Sequence, residues 1–274
     1  MGILAVTVST LLFHPEEDSP YHPRDYEEII KSGVLQAVTE YNSISFHASS
    51  KDSIEGFHYE LLKAFTEDKG LRLQITPLMS MKERKQEIIQ GRYDLLANDV
   101  LITPDNNDDI AFTQPILLSK QILIQRKAQN QDDSLYIKSQ LDLANKTLHI
   151  VQGSPYRHRI ENLSNEIGDT IYIKEIEKYG PEQIISMVAY GDIDYAVCDE
   201  NIALSLIQDF PQLDISTPIS FTQFYAWGVN KQCTVLLDTL NEWLEDYKQT
   251  HAFKKLKQKY YKKNSTRKRN DAIR

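Results

Sequence analysis

The sequence predicts an α/β protein of two lobes facing one another across a ligand cleft, and three observations carry that expectation. Strand and helix patterns alternate through residues 35–98 and again through residues 147–198, the order that builds parallel sheets with crossover helices. GRYDLLAND at 91–99 and GDIDYAVCD at 191–199 match in register, with Gly91 over Gly191, Asp94 over Asp194 and Asp99 over Asp199. The length of 274 residues exceeds one ordinary core and suits two.

In chain order, MGILAVTVSTLLF is an apolar run that suits the core of a secretory signal. It lacks a preceding Lys or Arg and a small-residue cleavage motif, so a weak membrane anchor or a buried element are the other readings. HPEEDSPYHPRD reads as a polar linker. LQAVTE is a strand, and GFHYELLKAFTEDKG is a helix with Phe57, Leu61, Leu62 and Phe65 on one face and Gly70 as its stop. LRLQITP, SMKERKQEIIQG and YDLLAN add strand, helix and strand. TPDNNDDIAFTQP, at 103–115, is an acidic, amide-rich loop, after which QILIQRK leads out of the first lobe. The second unit runs TLHIV, SPYRHRIENLSNEI, TIYIKEI, GPEQIISMVAYG and IDYAVC. TQFYAWGV returns the chain to the first lobe, and TVLLDTLNEWLEDYKQT packs there through Leu236, Leu237, Leu240, Trp243, Leu244 and Tyr247. AFKKLKQKYY is the last helix. The expected domains are therefore 1–32 (apolar segment and linker), 33–124 with 224–261 (lobe 1), 125–223 (lobe 2) and 262–274 (basic tail).

Charge narrows the function classes. Residues 254–274 hold ten of the 31 Lys and Arg and one of the 39 Asp and Glu, which leaves 21 against 38 elsewhere, or −17 for the body and +9 for the tail. So acidic a body excludes a nucleic-acid surface, which needs a basic face. The tail is either a solvated terminus or a tether to an anionic surface. Cys198 and Cys233 lack metal-ligand spacing and fall in different lobes, so two free thiols are expected, and neither a metal nor a cofactor.

Ligands of open α/β sheets bind beyond the carboxyl ends of strands, and both closing aspartates, Asp99 and Asp199, lie there. Asp105, Asp108 and Asp109 are read as solvated turn formers. Arg157, His158 and Arg159 are read as a solvated helix face pairing with Glu161, with an anion contact as the alternative.

GFHYELLKAF, YDLLANDVLITP with IAFTQP and ILIQRK, VQGSPY, GDIDYAVCDE and AFKKLKQKYY together resemble the extracellular solute-binding proteins of family 3, over residues 33–261. Within that family the chain is most similar to the ligand-binding module at the front of membrane-bound lytic transglycosylase F. The resemblance implies the type II periplasmic binding protein fold, with two α/β lobes joined by two crossing segments. It implies a ligand set of Tyr41, Phe46, Asn98, Asp99, Asn106, Gly153, Ser154 and Asp199, although core packing is an equal reading for Tyr41 and Phe46. Asn106 stands where amino-acid-binding members place a carboxylate-clamping arginine, Leu101 replaces a Ser or Thr, and Pro155 removes a donor N–H. The implied function is a monomeric, periplasmic binder of a small polar ligand, anchored through its N-terminal segment. An ABC transporter permease or the cell-wall machinery is the implied partner. Muropeptide sensing and a dehydratase activity on the same fold are the alternatives. With the sequence ending at Arg274, no stretch remains for a glycan-cleaving domain, and a binder without catalytic activity is expected.

Overall fold

The computed structural model describes residues 21–49, 53–102 and 109–261. Helix α1 (Tyr26–Ser32) opens it, followed by β1 (Val34–Thr39), the short strands β2 (His47–Ala48) and β3 (Ile54–Glu55), α2 (Phe57–Asp68), β4 (Arg72–Pro77), α3 (Met81–Ile89) and β5 (Leu95–Leu101). Next come β6 (Ile110–Phe112), β7 (Leu117–Ser119), β8 (Gln121–Arg126), β9 (Thr147–Val151), α4 (Tyr156–Ile167), β10 (Tyr172–Ile176), α5 (Pro181–Tyr190) and β11 (Ala196–Asp199). The chain ends with α6 (Glu200–Leu206), β12 (Leu213–Asp214), β13 (Gln223–Asn230), α7 (Thr234–Tyr247) and α8 (His251–Tyr261).

Eleven of these strands form two sheets, and β2 and β3 pair as a separate two-stranded ribbon. The first has the order β4-β1-β5-β13-β6, with β7 also on β13, and the second β10-β9-β11-β8-β12. β1 is parallel to β4 and β5, and β9 to β10 and β11, as the crossover helices require; β8 and β13 return antiparallel. Each sheet buries its own apolar face. α2 contributes Phe57, Leu61, Leu62 and Phe65 to the first lobe, and α7 contributes Leu236, Leu240, Trp243 and Leu244. Burying one such side chain stabilises by about 1.5–3 kcal/mol.

Two boundaries differ from expectation. β8 pairs with β11 and β12 of the second sheet, so the passage between lobes lies at Lys120, not at residue 124. Residues 25–32 are not linker. Asp25 and Glu28 form a capping box for α1, and Gly33 ends it at φ 68°. Arg24 then fastens this segment to Asp94 at 2.5 and 3.0 Å.

The paired motif separates into structural and cleft-facing parts. Asp94 takes Arg24 and the Gln36 N–H, and Asp194 takes Arg126 at 2.5 Å, so the strand-opening aspartates anchor backbone and arginines. Gly91 sits at φ 75°, and a Cβ there would lie 2.1 Å from the His22 carbonyl carbon. The left-handed turn and the crossing chain both demand glycine. The two crossing segments are zipped to each other: Ser119 pairs with Gln223, and the Ile219 N–H donates to the Gln121 carbonyl at 2.8 Å.

Candidate functional site

Helix starts and strand ends from both lobes converge on one interlobe cavity of about 60 Å³. At roughly 10–15 Å³ per water-sized group, it has room for about four to six of them. Lobe 1 contributes Glu40, Asn42, Ile44 and Ser45 after β1, Met79, Met81, Arg84 and Lys85 around the start of α3, Asp99 to Leu101 on β5, and Tyr225 on β13. Lobe 2 contributes Val151, the Ser154–Tyr156 turn into α4, Pro181 at the start of α5, Asp199 on β11 and Ile202. The turn after β1 is shaped by Asn42, whose Oδ1 accepts from the N–H groups of Ile44 and Ser45 at 3.0 and 2.6 Å.

Asp199 is 2% exposed. Its Oδ1 accepts from the Ser119 hydroxyl at 2.7 Å and from the Asn201 N–H at 2.9 Å, so it also starts α6. Its Oδ2 and Tyr225 Oη are buried near each other without meeting hydrogen-bond geometry, and Ser154 Oγ is buried without a hydrogen bond, all three at the cavity. Burial first, then the charge of Asp99, pushes Asp199 up to about 7, against the pull of Ser119 and of the nearby Tyr225 hydroxyl. Burial likewise raises the Tyr225 and Tyr156 hydroxyls well above their usual range. Buried polar atoms that lack partners are costly, and a polar group seated in the cavity would satisfy them.

Asp99 is held differently. Its Oδ1 lies 3.0 Å from His58 Nε2, and the Tyr261 hydroxyl donates to Oδ2 at 3.5 Å. Glu40 faces Arg84 at 3.4 Å. Burial raises Glu40 and lowers Arg84, while their mutual attraction opposes both shifts. Arg84 also donates to the carbonyls of Leu78 and Met79. The lobes touch beside the cavity, where the Ser43 N–H donates to Glu182 at 2.8 Å and the Ser43 and Ser205 hydroxyls lie 3.0 Å apart.

Of the residues expected from sequence, Asp99, Asp199 and Ser154 line the cavity, and Leu101 and Pro155 line it too. Tyr41, Phe46, Asn98 and Gly153 are not among its lining residues. Phe46 packs edge-on against Tyr41 and Tyr59, the core-packing alternative, and Tyr41 is exposed. Asn98 precedes Asp99 on β5, where successive side chains take opposite faces, and is buried with Oδ1 unpartnered. Asn106, with Asp105 and Asp108, lies outside the described residues, as do the N-terminal apolar run and the basic tail. Arg157 pairs with Glu161 and Glu175 and Arg159 with Glu166, so this cluster is a salt-bridged helix face. Cys198 and Cys233 are free and buried. Among the described residues no cluster fit to hold a metal ion occurs, and no helix is long and apolar enough to cross a membrane.

Comparison with known proteins fits this geometry. Residues 35–263 match the model of the bacterial extracellular solute-binding proteins, family 3. The chain belongs to that family. Among curated relatives, the membrane-bound lytic murein transglycosylases F of Desulfosudis oleivorans and Photobacterium profundum are 28% and 26% identical over 235 and 239 residues, or 85% and 86% of this chain. They are covered over 50% and 45% of their own lengths, so the chain spans about half of the relatives it matches. Among solved structures, an ABC uptake transporter substrate-binding protein from Streptococcus pneumoniae with bound histidine matches with a TM-score of 0.76 at 19% identity, covering 87% of this chain and 96% of that one. A mutant of the arginine-binding protein from T. maritima matches with a TM-score of 0.73 at 21% identity, covering 86% and 99%. At such identities the likeness is one of fold: the family 3 chain has the two-lobed, type II periplasmic binding protein fold.

Proposed function

We propose that this family 3 protein is an extracytoplasmic solute-binding protein that closes its lobes on a small polar ligand, an amino-acid derivative, peptide or cell-wall fragment, for uptake or sensing. The observation carrying this reading is the interlobe cavity, on whose wall polar groups of both lobes, Asp199, Ser154 and Tyr225, are buried with Ser154 Oγ unpartnered. Closure works as a signal because the closed form holds ligand better than the open one. The protein acts as a monomer in the periplasm, held to the membrane by its N-terminal segment, and delivers its state to an ABC permease or to cell-wall machinery.

A second reading, a regulatory module that senses muropeptides, is favoured by the relatives named lytic murein transglycosylase F. A cavity of about 60 Å³ cannot enclose a whole muropeptide, so in that reading only its peptide or amine end enters between the closed lobes.

A thermal-shift screen of amino acids, oligopeptides, polyamines and muropeptides tests both. A ligand at 100 times its Kd raises stability by about 2.7 kcal/mol. With Asn106 in place of a carboxylate clamp, simple α-amino acids are expected to give little response. Strong stabilisation by one of them would overturn the ligand reading, and a muropeptide response with none from oligopeptides or polyamines would select the sensing role.

A further inference from the structure

A second cavity lies between the lobes, larger than the first at about 190 Å³. Lobe 1 forms most of its wall, with Ser43 from the turn after β1, His47 of β2, Glu55 of β3, and Lys259 and Tyr261 of α8. Lobe 2 completes it through α6, with Ser205. Ile44 lines both cavities, and Tyr261, on the wall of the second, donates its hydroxyl to Asp99 of the first at 3.5 Å. At roughly 10–15 Å³ per water-sized group, the second has room for about 13 to 19 of them, the size of a single sugar ring with its substituents. Because both lobes build it, it is whole only when they are closed.

The polar groups of this wall decide what it can hold. Ser205 Oγ donates its one proton to the Ile202 carbonyl at 2.7 Å, so in its pair with Ser43, 3.0 Å away, Ser43 is the donor. Both hydroxyl oxygens keep lone pairs for a donor from elsewhere. His47 Nδ1 is buried without a hydrogen bond, and an imidazole nitrogen donates or accepts according to its tautomer. Lys259 lies 3.0 Å from Glu55 and 2.7 Å from Glu60. An anion placed beside this group meets two carboxylates, and a cation meets the Lys259 ammonium. A hydroxyl meets neither obstacle, and it both donates and accepts.

We propose that this cavity is a second binding site, for an uncharged, hydroxyl-rich molecule of monosaccharide size, and that its occupant holds the lobes closed. The coupling to closure rests on the closing motion proposed above as the protein's function; what fills the first cavity does not enter. A molecule that binds only the closed form draws the equilibrium toward that form. By linkage it tightens whatever the first cavity binds, by the same factor that the first ligand tightens it. The protein then answers to two solutes together, with one in each cavity.

The test uses the full chain with glucose, N-acetylglucosamine and mannitol, and with putrescine as a charged probe. Calorimetry reads saturable binding, which separates a site from the general stabilisation that excluded sugars give, and solution scattering reads the radius of gyration. The expected result is that at least one of the three uncharged probes binds and shrinks the radius, and that putrescine does not displace it. His47→Leu, which leaves the contacts between the lobes in place, should weaken its Kd about fivefold. Ser205→Trp, which fills the space, should abolish binding, and Ser154→Ala, in the first cavity, should preserve it. No saturable heat from any of the three, or putrescine binding there in their place, would overturn the proposal. A sugar lost in Ser154→Ala but indifferent to His47→Leu and Ser205→Trp sits in the first cavity; the second site then falls while the solute-binding reading stands. Binding that follows the His47 and Ser205 variants but leaves the radius unmoved keeps the site and overturns the closing motion on which its coupling rests.

Discussion

At the scale of single residues, Asp199 makes the protein's stability depend on pH. Its carboxyl is raised from about 3.8 to about 7 by burial and by Asp99. A raised carboxyl means the folded form holds its proton where the unfolded chain has lost it. Ligand-free stability therefore falls as pH rises from about 4 to about 7 and is level above that, by up to about 4 kcal/mol. Asp199→Asn keeps an acceptor for Ser119 and Asn201 and should stabilise the empty protein at pH 8 by a sizeable part of that amount, and by almost nothing at pH 4, in urea titrations. Arg84 and Glu40 give a second case. Arg84→Met leaves Glu40 buried opposite nothing and should cost about 3–5 kcal/mol; adding Glu40→Gln should recover more than half, and additivity of the two changes would refute their coupling. Asp99 and Asp199 were legible in the sequence because they close corresponding strands of a repeat. Glu40 closes β1 in the same way but stands outside the repeat and drew no notice. His58 had a visible signal, a polar residue three, four and seven places before Leu61, Leu62 and Phe65 on a buried face. Its partner Trp227 is 169 residues away, a separation no local pattern reports.

At the scale of elements, one carboxylate serves two helices. Asp25 caps α1 and also accepts from the N–H groups of Leu236 and Val235 at the start of α7, at 2.7 and 3.2 Å. Losing a cap costs about 0.5–2 kcal/mol, so Asp25→Ala is expected to cost about 2–3 kcal/mol for the pair, with Asp25→Asn much milder; a melting curve unmoved by Asp25→Ala would exclude this role. The long elements were readable from apolar spacing and stops such as Gly70, Gly91 and Gly191. α1 was hidden by the prolines and histidines before it, although Asp25, Glu28 and Gly33 spelled a cap, a box and a stop. The strands β2, β3 and β12 have two residues each and β6 and β7 three, too few to show a period. β6 and β7 exist because β13 offers them an edge, β12 because β8 does, and β2 and β3 because they pair with each other, all facts of tertiary structure.

At the scale of the whole molecule, the lobes are held shut by few bonds. The Ser43 N–H to Glu182 contact and the Ser43 to Ser205 hydroxyl pair are both partly buried, each contributing about 1 kcal/mol. Glu182→Ala should therefore shift the open-to-closed ratio of the ligand-free protein about fivefold toward open, seen as a larger radius of gyration in solution scattering. An unchanged radius would mean the latch lies elsewhere. The two-lobed plan was legible because the repeat implied it; the closed state was not, because it depends on pairs such as Ser43 with Glu182 that are 139 positions apart. One feature of this plan bears on how the protein can be handled. His22 presses against Gly91, four residues ahead of β5, while Asp99 stands toward that strand's other end, about 13 Å along it from its first residue. The described chain thus begins at the back of lobe 1. A leash, a bead or a sensor chip attached there leaves the mouth looking outward and free to load.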